Sequence, residues 1–161
     1  EELGKLFPVS LRPYDPLWPQ LFEQEKINLF RILGRKTALS ITHIGSTAIP
    51  GIAAKPCIDI LLEIPENKQI QPQIIKQMKE SGYDYFLQNK FPPPYLCFVK
   101  GYSDSGYTGQ SYHIHAAPKS HTDLQTRPFF RDYLLQHPEA ARAYEALKHE
   151  LAEKHRFNRE E

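Results

Sequence analysis

His43-Ile44-Gly45-Ser46-Thr47-Ala48-Ile49-Pro50-Gly51-Ile52-Ala53-Ala54-Lys55-Pro56-Cys57-Ile58-Asp59-Ile60 is the stretch on which the reading of this chain turns. Ala38 to Ile44, rich in β-branched residues, predicts a strand. It runs into Gly45–Gly51, a tight bend of small residues. Cys57 to Ile64 is then nearly continuous apolar sequence, broken only by Asp59 and Glu63, as expected of a central strand covered on both faces. A buried carboxylate is costly unless it is paired or metal-bound, so Asp59 needs a physical reason for its place.

Outward from this stretch, Asp15-Pro16 marks a helix start, and Trp18, Phe22, Ile27, Phe30 and Leu33 recur at helical spacing over 16–33 before Gly34 stops them. On the other side, 67–81 predicts a second helix carrying Ile70, Ile74, Ile75 and Met78. Tyr83–Leu87 and Tyr95–Lys100 read as strands, separated by the break Phe91-Pro92-Pro93-Pro94. The Gly/Ser-rich run Gly101–Gly109 reads as a turn, and Tyr112–Ala117 as a further strand ended by Pro118. Two helices follow, Asp123–Gln136 and one opened by Pro138. The element order predicts an α+β fold, a mixed β-sheet with helices packed on it. The 161 residues are expected to form a single domain, with a core of about 10–157.

Composition excludes several classes. Apolar residues are 40% of the chain and charged residues 24%, which is globular rather than disordered. Twenty basic residues stand against 19 acidic ones, a formal charge of +1, so no bulk electrostatic footprint for nucleic acid or anionic membrane is expected and any anion site must be local. No apolar run reaches the length of a membrane span, and no charged-then-apolar leader opens the sequence. Cys57 and Cys97, without Cys-x-x-Cys spacing, read as reduced core residues, which together with the missing leader leads to an expected cytoplasmic location.

The residues of the bend suit a phosphate. Glycine at 45 permits close backbone approach, Ser46 and Thr47 offer hydroxyls and N–H groups at an expected helix start, and Lys55 supplies a point charge. Asp59 then reads either as a metal ligand facing this turn or as the partner of Lys55 or an arginine. In His113-Ile114-His115 the two imidazoles point to one side of a strand, about 7 Å apart. If that strand adjoins the Asp59 strand in phase, Asp59, His113 and His115 converge as two imidazoles and a carboxylate, a set suited to Zn²⁺, Fe²⁺ or Mn²⁺. Protonated, the same pair could instead hold a phosphate. His43 is either a third imidazole at the same mouth or a strand-end residue bonded to backbone. Arg131 is either a bidentate clamp for phosphate or carboxylate or half of a surface ion pair. Tyr144 and Phe129 read as core. Phe91 and Tyr95 could stack on a base. Glycine-rich nucleotide loops and the serine-hydrolase elbow are absent from the sequence.

The run 43–60, the opening Arg12-Pro13-Tyr14-Asp15-Pro16 with Trp18, His113-Ile114-His115, and Phe130-Arg131-Asp132-Tyr133-Leu134 with His137-Pro138-Glu139-Ala140 and Tyr144 together resemble the GrpB family. The resemblance implies a nucleotidyltransferase-like fold. It points to a site for a nucleotide or other small phosphorylated molecule, with Asp59 and Lys55 in catalytic positions and a divalent cofactor, Mg²⁺ or Mn²⁺, with Zn²⁺ or Fe²⁺ as alternatives. One departure weighs on this. Enzymes of that fold usually carry Asp-hydrophobic-Asp on the second strand, two acids holding two metals, whereas here the second position is Leu61. Glu63 has the right parity but lies about 13 Å along the strand from Asp59. The expected function is therefore ligand and metal binding with nucleotidyl or phosphoryl transfer. A non-catalytic binding or protein-accessory module and a His/His/Asp metal-dependent hydrolase stand as alternatives.

Overall fold

The sheet is built from strand pairings of two kinds. The computed structural model describes residues 6–90 and 93–156, so Phe91 and Pro92 lie outside the described residues. The elements are α1 (Trp18–Leu33), β1 (Ser40–Ile44), β2 (Cys57–Glu63), α2 (Gln71–Glu80), β3 (Asp84–Gln88), β4 (Tyr95–Ser103), β5 (Gly106–Ala117), α3 (Thr122–Gln136) and α4 (Pro138–Lys154). The strand order is β1-β2-β5-β4-β3. β1–β2, β3–β4 and β4–β5 pair antiparallel, and β2–β5 pair parallel. This is a mixed sheet in an α+β fold.

Alternation along the strands fixes the two faces. Ile58, Ile60, Leu62, Phe98 and Ile114 are buried against Trp18, Phe22, Leu29 and Leu33 of α1 and Ile74 and Met78 of α2. Each such Leu or Ile contributes about 1.5–3 kcal/mol of burial. The opposite face carries Ile44, Leu61, Tyr95, Cys97 and Ala117 against Leu124 of α3. Ile58, Ile60 and Leu62 have no exposed surface, which closes one face of β2; on the other face Leu61 is buried while Cys57, Asp59 and Glu63 stay partly open, so the near-continuous hydrocarbon of the sequence is covered fully on one side only.

Three expectations shift. Gly101–Gly109 is not a loop: β4 continues to Ser103 and β5 starts at Gly106, a long hairpin with a register shift between Lys100 and Tyr102. Gly101 has φ 91°, and a Cβ there would run into the main chain of Gln110, so glycine marks a bulge inside a strand rather than a turn. The second helix starts at Gln71, after a single 3-10 turn over Lys68–Ile70, because Pro72 fits its first turn. Phe129 is 73% exposed and is not core. α3 buries Leu124 and Leu134, and five residues beyond Leu124 place Phe129 about 140° around the helix from it. Among the described residues, no helix is long and apolar enough to cross a membrane.

Candidate functional site

The site begins with strand register. β1 ends with Ile44 opposite Asp59. The chain then turns at Gly45, with φ 73° and ψ −175°, a conformation open to glycine and strained for other residues. A Cβ on Gly45 would lie 2.6 Å from Asp59 Oδ2, so the missing side chain is the space the carboxylate occupies. Parallel pairing of β2 and β5 sets Asp59 beside His113 and Leu61 beside His115. The in-phase arrangement expected from parity is therefore present. His113 Nδ1 and His115 Nε2 each lie 3.8 Å from Asp59 Oδ1, with side-chain exposures of 34%, 12% and 32% for His113, His115 and Asp59. Asp59 is reachable from solvent rather than packed in hydrocarbon. Among the described residues, its ion-pair partners within 4 Å are these imidazoles and not Lys55 or an arginine.

The imidazoles are held differently. His113 Nε2 pairs with the Tyr102 hydroxyl at 2.7 Å, leaving Nδ1 toward Asp59. His115 Nδ1 is buried without a hydrogen-bond partner. Burial opposes ionisation of Asp59, but the His115 imidazole turned toward it and the charges of His113, His115 and Arg127 together outweigh burial and hold its carboxyl below the usual value.

One donor was not anticipated. Cys57 stands two residues before Asp59 on the same face of β2 and is half-buried rather than core. Donor atoms of Cys57, Asp59 and His113 all lie within 4.8 Å of one another, a group that can hold a metal ion; His115 is not part of it. The Tyr102 hydroxyl is 3.8 Å from Cys57 Sγ. Cys97, in contrast, is buried in β4 and its thiol is pushed up to about 12 by burial, as a core cysteine should be.

The remaining expected residues divide. His43, opposite Ile60, faces α1: its ring stacks on Phe22 at 4.7 Å and its Nε2 bonds Thr47 Oγ1 at 2.9 Å. Burial, with Arg131 assisting and Asp59 opposing, lowers its pKa to about 4, so it is a neutral packing residue and not a third imidazole at the mouth. Thr47 is 1% exposed, and the expected helix start is one short 3-10 turn over Ser46–Ala48. Arg131 donates to the His43 main-chain oxygen at 2.7 Å and pairs with Asp132 at 2.7 Å, so it pins α3 onto the end of β1. Tyr95 is buried, with Arg127 donating to its hydroxyl at 3.3 Å.

Two cavities meet at Asp59 and His113. One, of about 550 Å³, is lined by Ser46, Lys55, Cys57 and Lys148 as well as these two. The other, of about 670 Å³, adds Gly45, His115, Arg127, Arg131 and Phe130. Lys148 and Glu145 of α4 grip a single residue: Glu145 accepts from the Ala53 N–H and Lys148 donates to the Ala53 carbonyl oxygen. Burial lowers Lys148 to about 8, with Glu145 opposing, which leaves it mostly charged at neutral pH. Cys57, Tyr102, Arg127 and the Glu145–Lys148 grip carried no assigned role in the sequence. Only Cys57 left a readable signal, its i, i+2 spacing to Asp59.

A family profile described as GrpB protein matches residues 8–161. UPF0157 protein PA4798 of Pseudomonas aeruginosa is 37% identical over 152 residues, which cover 94% of this chain and 60% of that protein. The chain thus spans less than two thirds of that curated relative's length. The crystal structure of conserved protein GrpB from Enterococcus faecalis superposes with a TM-score of 0.75 at 30% identity, covering 91% of this chain and 84% of the other. A distant likeness to the Cid1 poly(U) polymerase, 10% identical with a TM-score of 0.48 over 83% of this chain and 40% of that one, is below the level at which chemistry carries over.

Proposed function

This chain belongs to the GrpB family, and from that premise we propose that it binds a small phosphorylated molecule, a nucleotide among them, beside a divalent metal ion held by Asp59 and His113. The observation that carries the reading is their position: a charged carboxylate and an oriented imidazole, side by side across β2 and β5, stand where a lysine-lined cavity meets an arginine-lined one. The donor atoms fit a metal. Gly45 leaves the carboxylate room, and Tyr102 on His113 Nε2 is the kind of outer partner that fixes a ligating histidine. A divalent ion there would polarise a phosphoryl oxygen. The chain's own part is to attract the anion with Lys55 and Lys148 and to orient it beside Asp59.

Nucleotidyl or phosphoryl transfer is the proposed chemistry, with Asp59 and Lys55 as its central groups. Binding without transfer is a second reading, and one observation favours it. Leu61, where a second acid would stand, is 4% exposed and packed with Ile44 and Leu124. Melting of wild type and Asp59→Ala with Mg²⁺, Mn²⁺ or Zn²⁺, each with and without nucleoside triphosphates, tests the binding. A ligand at about 100 times its Kd adds about 2.7 kcal/mol, or roughly 5–10 °C in a domain of this size. Identical responses in the two proteins overturn the site. Incubation with labelled triphosphates and small acceptors separates the readings, because Asp59-dependent label transfer removes the non-catalytic one.

A further inference from the structure

Cys57 is the one thiol in the fold placed among charged donors, and its surroundings are those of a ligand. It shares a strand face with Asp59, its sulfur belongs to the same 4.8 Å group as the carboxylate and His113, and it borders the cavity lined by Lys55 and Lys148. The Tyr102 hydroxyl stands 2.7 Å from His113 Nε2 and 3.8 Å from Cys57 Sγ, one outer group touching two donors. Donors bound to a single tetrahedral ion at 2.0–2.3 Å are about 3.4–3.6 Å apart. Small side-chain rotations about β2 and β5 would close the present separations to that range.

We infer that Cys57 is a thiolate ligand of this site, making it a Cys57/Asp59/His113 centre for Zn²⁺ or Fe²⁺ rather than a carboxylate site for Mg²⁺. This rests on the reading of Asp59 and His113 as metal ligands. The chemistry of the donors decides the ion: one soft sulfur, one imidazole nitrogen and one oxygen suit a borderline divalent metal, and Mg²⁺ takes oxygen donors. Three protein ligands leave a fourth position open toward the cavity, as in sites where the metal meets a ligand rather than only supporting the fold. His115 takes a different part. Its Nε2 faces the same Asp59 oxygen, Oδ1, that His113 approaches, while its other nitrogen is buried, so it orients the carboxylate. Charge follows too. A thiolate and a carboxylate cancel a divalent ion, so attraction of a phosphate to this neutral centre rests on Lys55 and Lys148.

The test uses the whole chain, stripped of metal by a chelator under a phosphine reductant and titrated with Co²⁺. Wild type should give the intense near-ultraviolet sulfur-to-cobalt charge-transfer band together with the visible bands of four-coordinate cobalt. Cys57→Ser should keep the metal-free melting temperature, lose the charge-transfer band, and bind Zn²⁺ at least about 10-fold more weakly. Cys97→Ala should keep the band. Cobalt bound without a charge-transfer band, or a band indifferent to Cys57→Ser, overturns the inference and leaves the Asp59–His113 reading standing. Failure of wild type to bind Co²⁺ or Zn²⁺ at all also overturns it. The phosphorylated-ligand reading is then judged separately by its own melting response to triphosphates.

Discussion

Replacing Gly45 with alanine tests the contact on which the site depends, and Gly34 provides a matched control. Both glycines adopt left-handed φ with extended ψ, 73° and −175° at Gly45 and 74° and 156° at Gly34, so alanine carries a similar backbone penalty at each, about 1–3 kcal/mol. They differ in what the new methyl group meets. Nothing lies within 4 Å at Gly34, whereas at Gly45 Asp59 Oδ2 is 2.6 Å away and Asp59 Cβ and Cγ are 3.1 and 3.2 Å away. The carboxylate must swing off its rotamer, about 0.5–1.5 kcal/mol, and leave its imidazole neighbours, about 1 kcal/mol more. Gly45→Ala should therefore be less stable than Gly34→Ala by about 2 kcal/mol, which is roughly 4–8 °C in Tm. Urea unfolding measures this as a lower midpoint at unchanged slope. Only the Gly45 variant should also lose its metal response. Equal stabilities in the two variants, or a full metal response in Gly45→Ala, would refute the claim that this glycine makes the carboxylate's seat.

Four further outcomes follow from the structure. His43, with its pKa lowered to about 4 from 6.5, stays neutral in the folded chain while the unfolded chain takes up a proton. Stability should therefore fall as pH drops from about 6.5 to about 4, and His43→Phe should flatten that part of a urea-midpoint profile. Leu61→Asp buries a carboxylate among Ile44 and Leu124 with His115 across the strand as a polar neighbour; it should destabilise the fold by about 1–3 kcal/mol and add no metal affinity by calorimetry. Glu25 is 5% exposed, accepts from the Tyr83 hydroxyl and pairs with Lys100 at 3.3 Å on the α1 side of the sheet. Glu25→Ala should cost about 2–3 kcal/mol and leave any Co²⁺ spectrum unchanged. Lys148→Gln removes a cavity charge and half of the grip on Ala53. It should weaken triphosphate binding by on the order of 10-fold and flatten its salt dependence, measured by titration at several ionic strengths.

Much of this was legible because strand parity is a rigid rule. Asp59 inside hydrocarbon and His113 two residues from His115 could be placed on one face each without coordinates, and the apolar run 57–64 marked a central strand. Register was not legible. That β2 and β5 run parallel, with Asp59 opposite His113 and not one residue away, depends on loop geometry and on the packing of two helices beneath them. The same limit hid the direction of His43, since its partner is Ile60 and its ring accordingly turns to Phe22. Arg131 shows a further limit: the sequence leaves it open between an anion clamp and half of an ion pair, and only the structure selects the pair, with Asp132, and adds a main-chain carbonyl as second acceptor. Gly101 and Gly106 bracket a strand extension because glycine signals a bulge and a turn alike.

The parallel seam between β2 and β5 has a kinetic implication. The β4–β5 hairpin can close locally, as can the β1–β2 pair, but the seam joins segments distant in sequence and must wait for a large loop to close. Asp59 arrives with one half and His113 with the other. An ion gripping both would act as a rivet between late-joining pieces, slowing unfolding more than it speeds refolding.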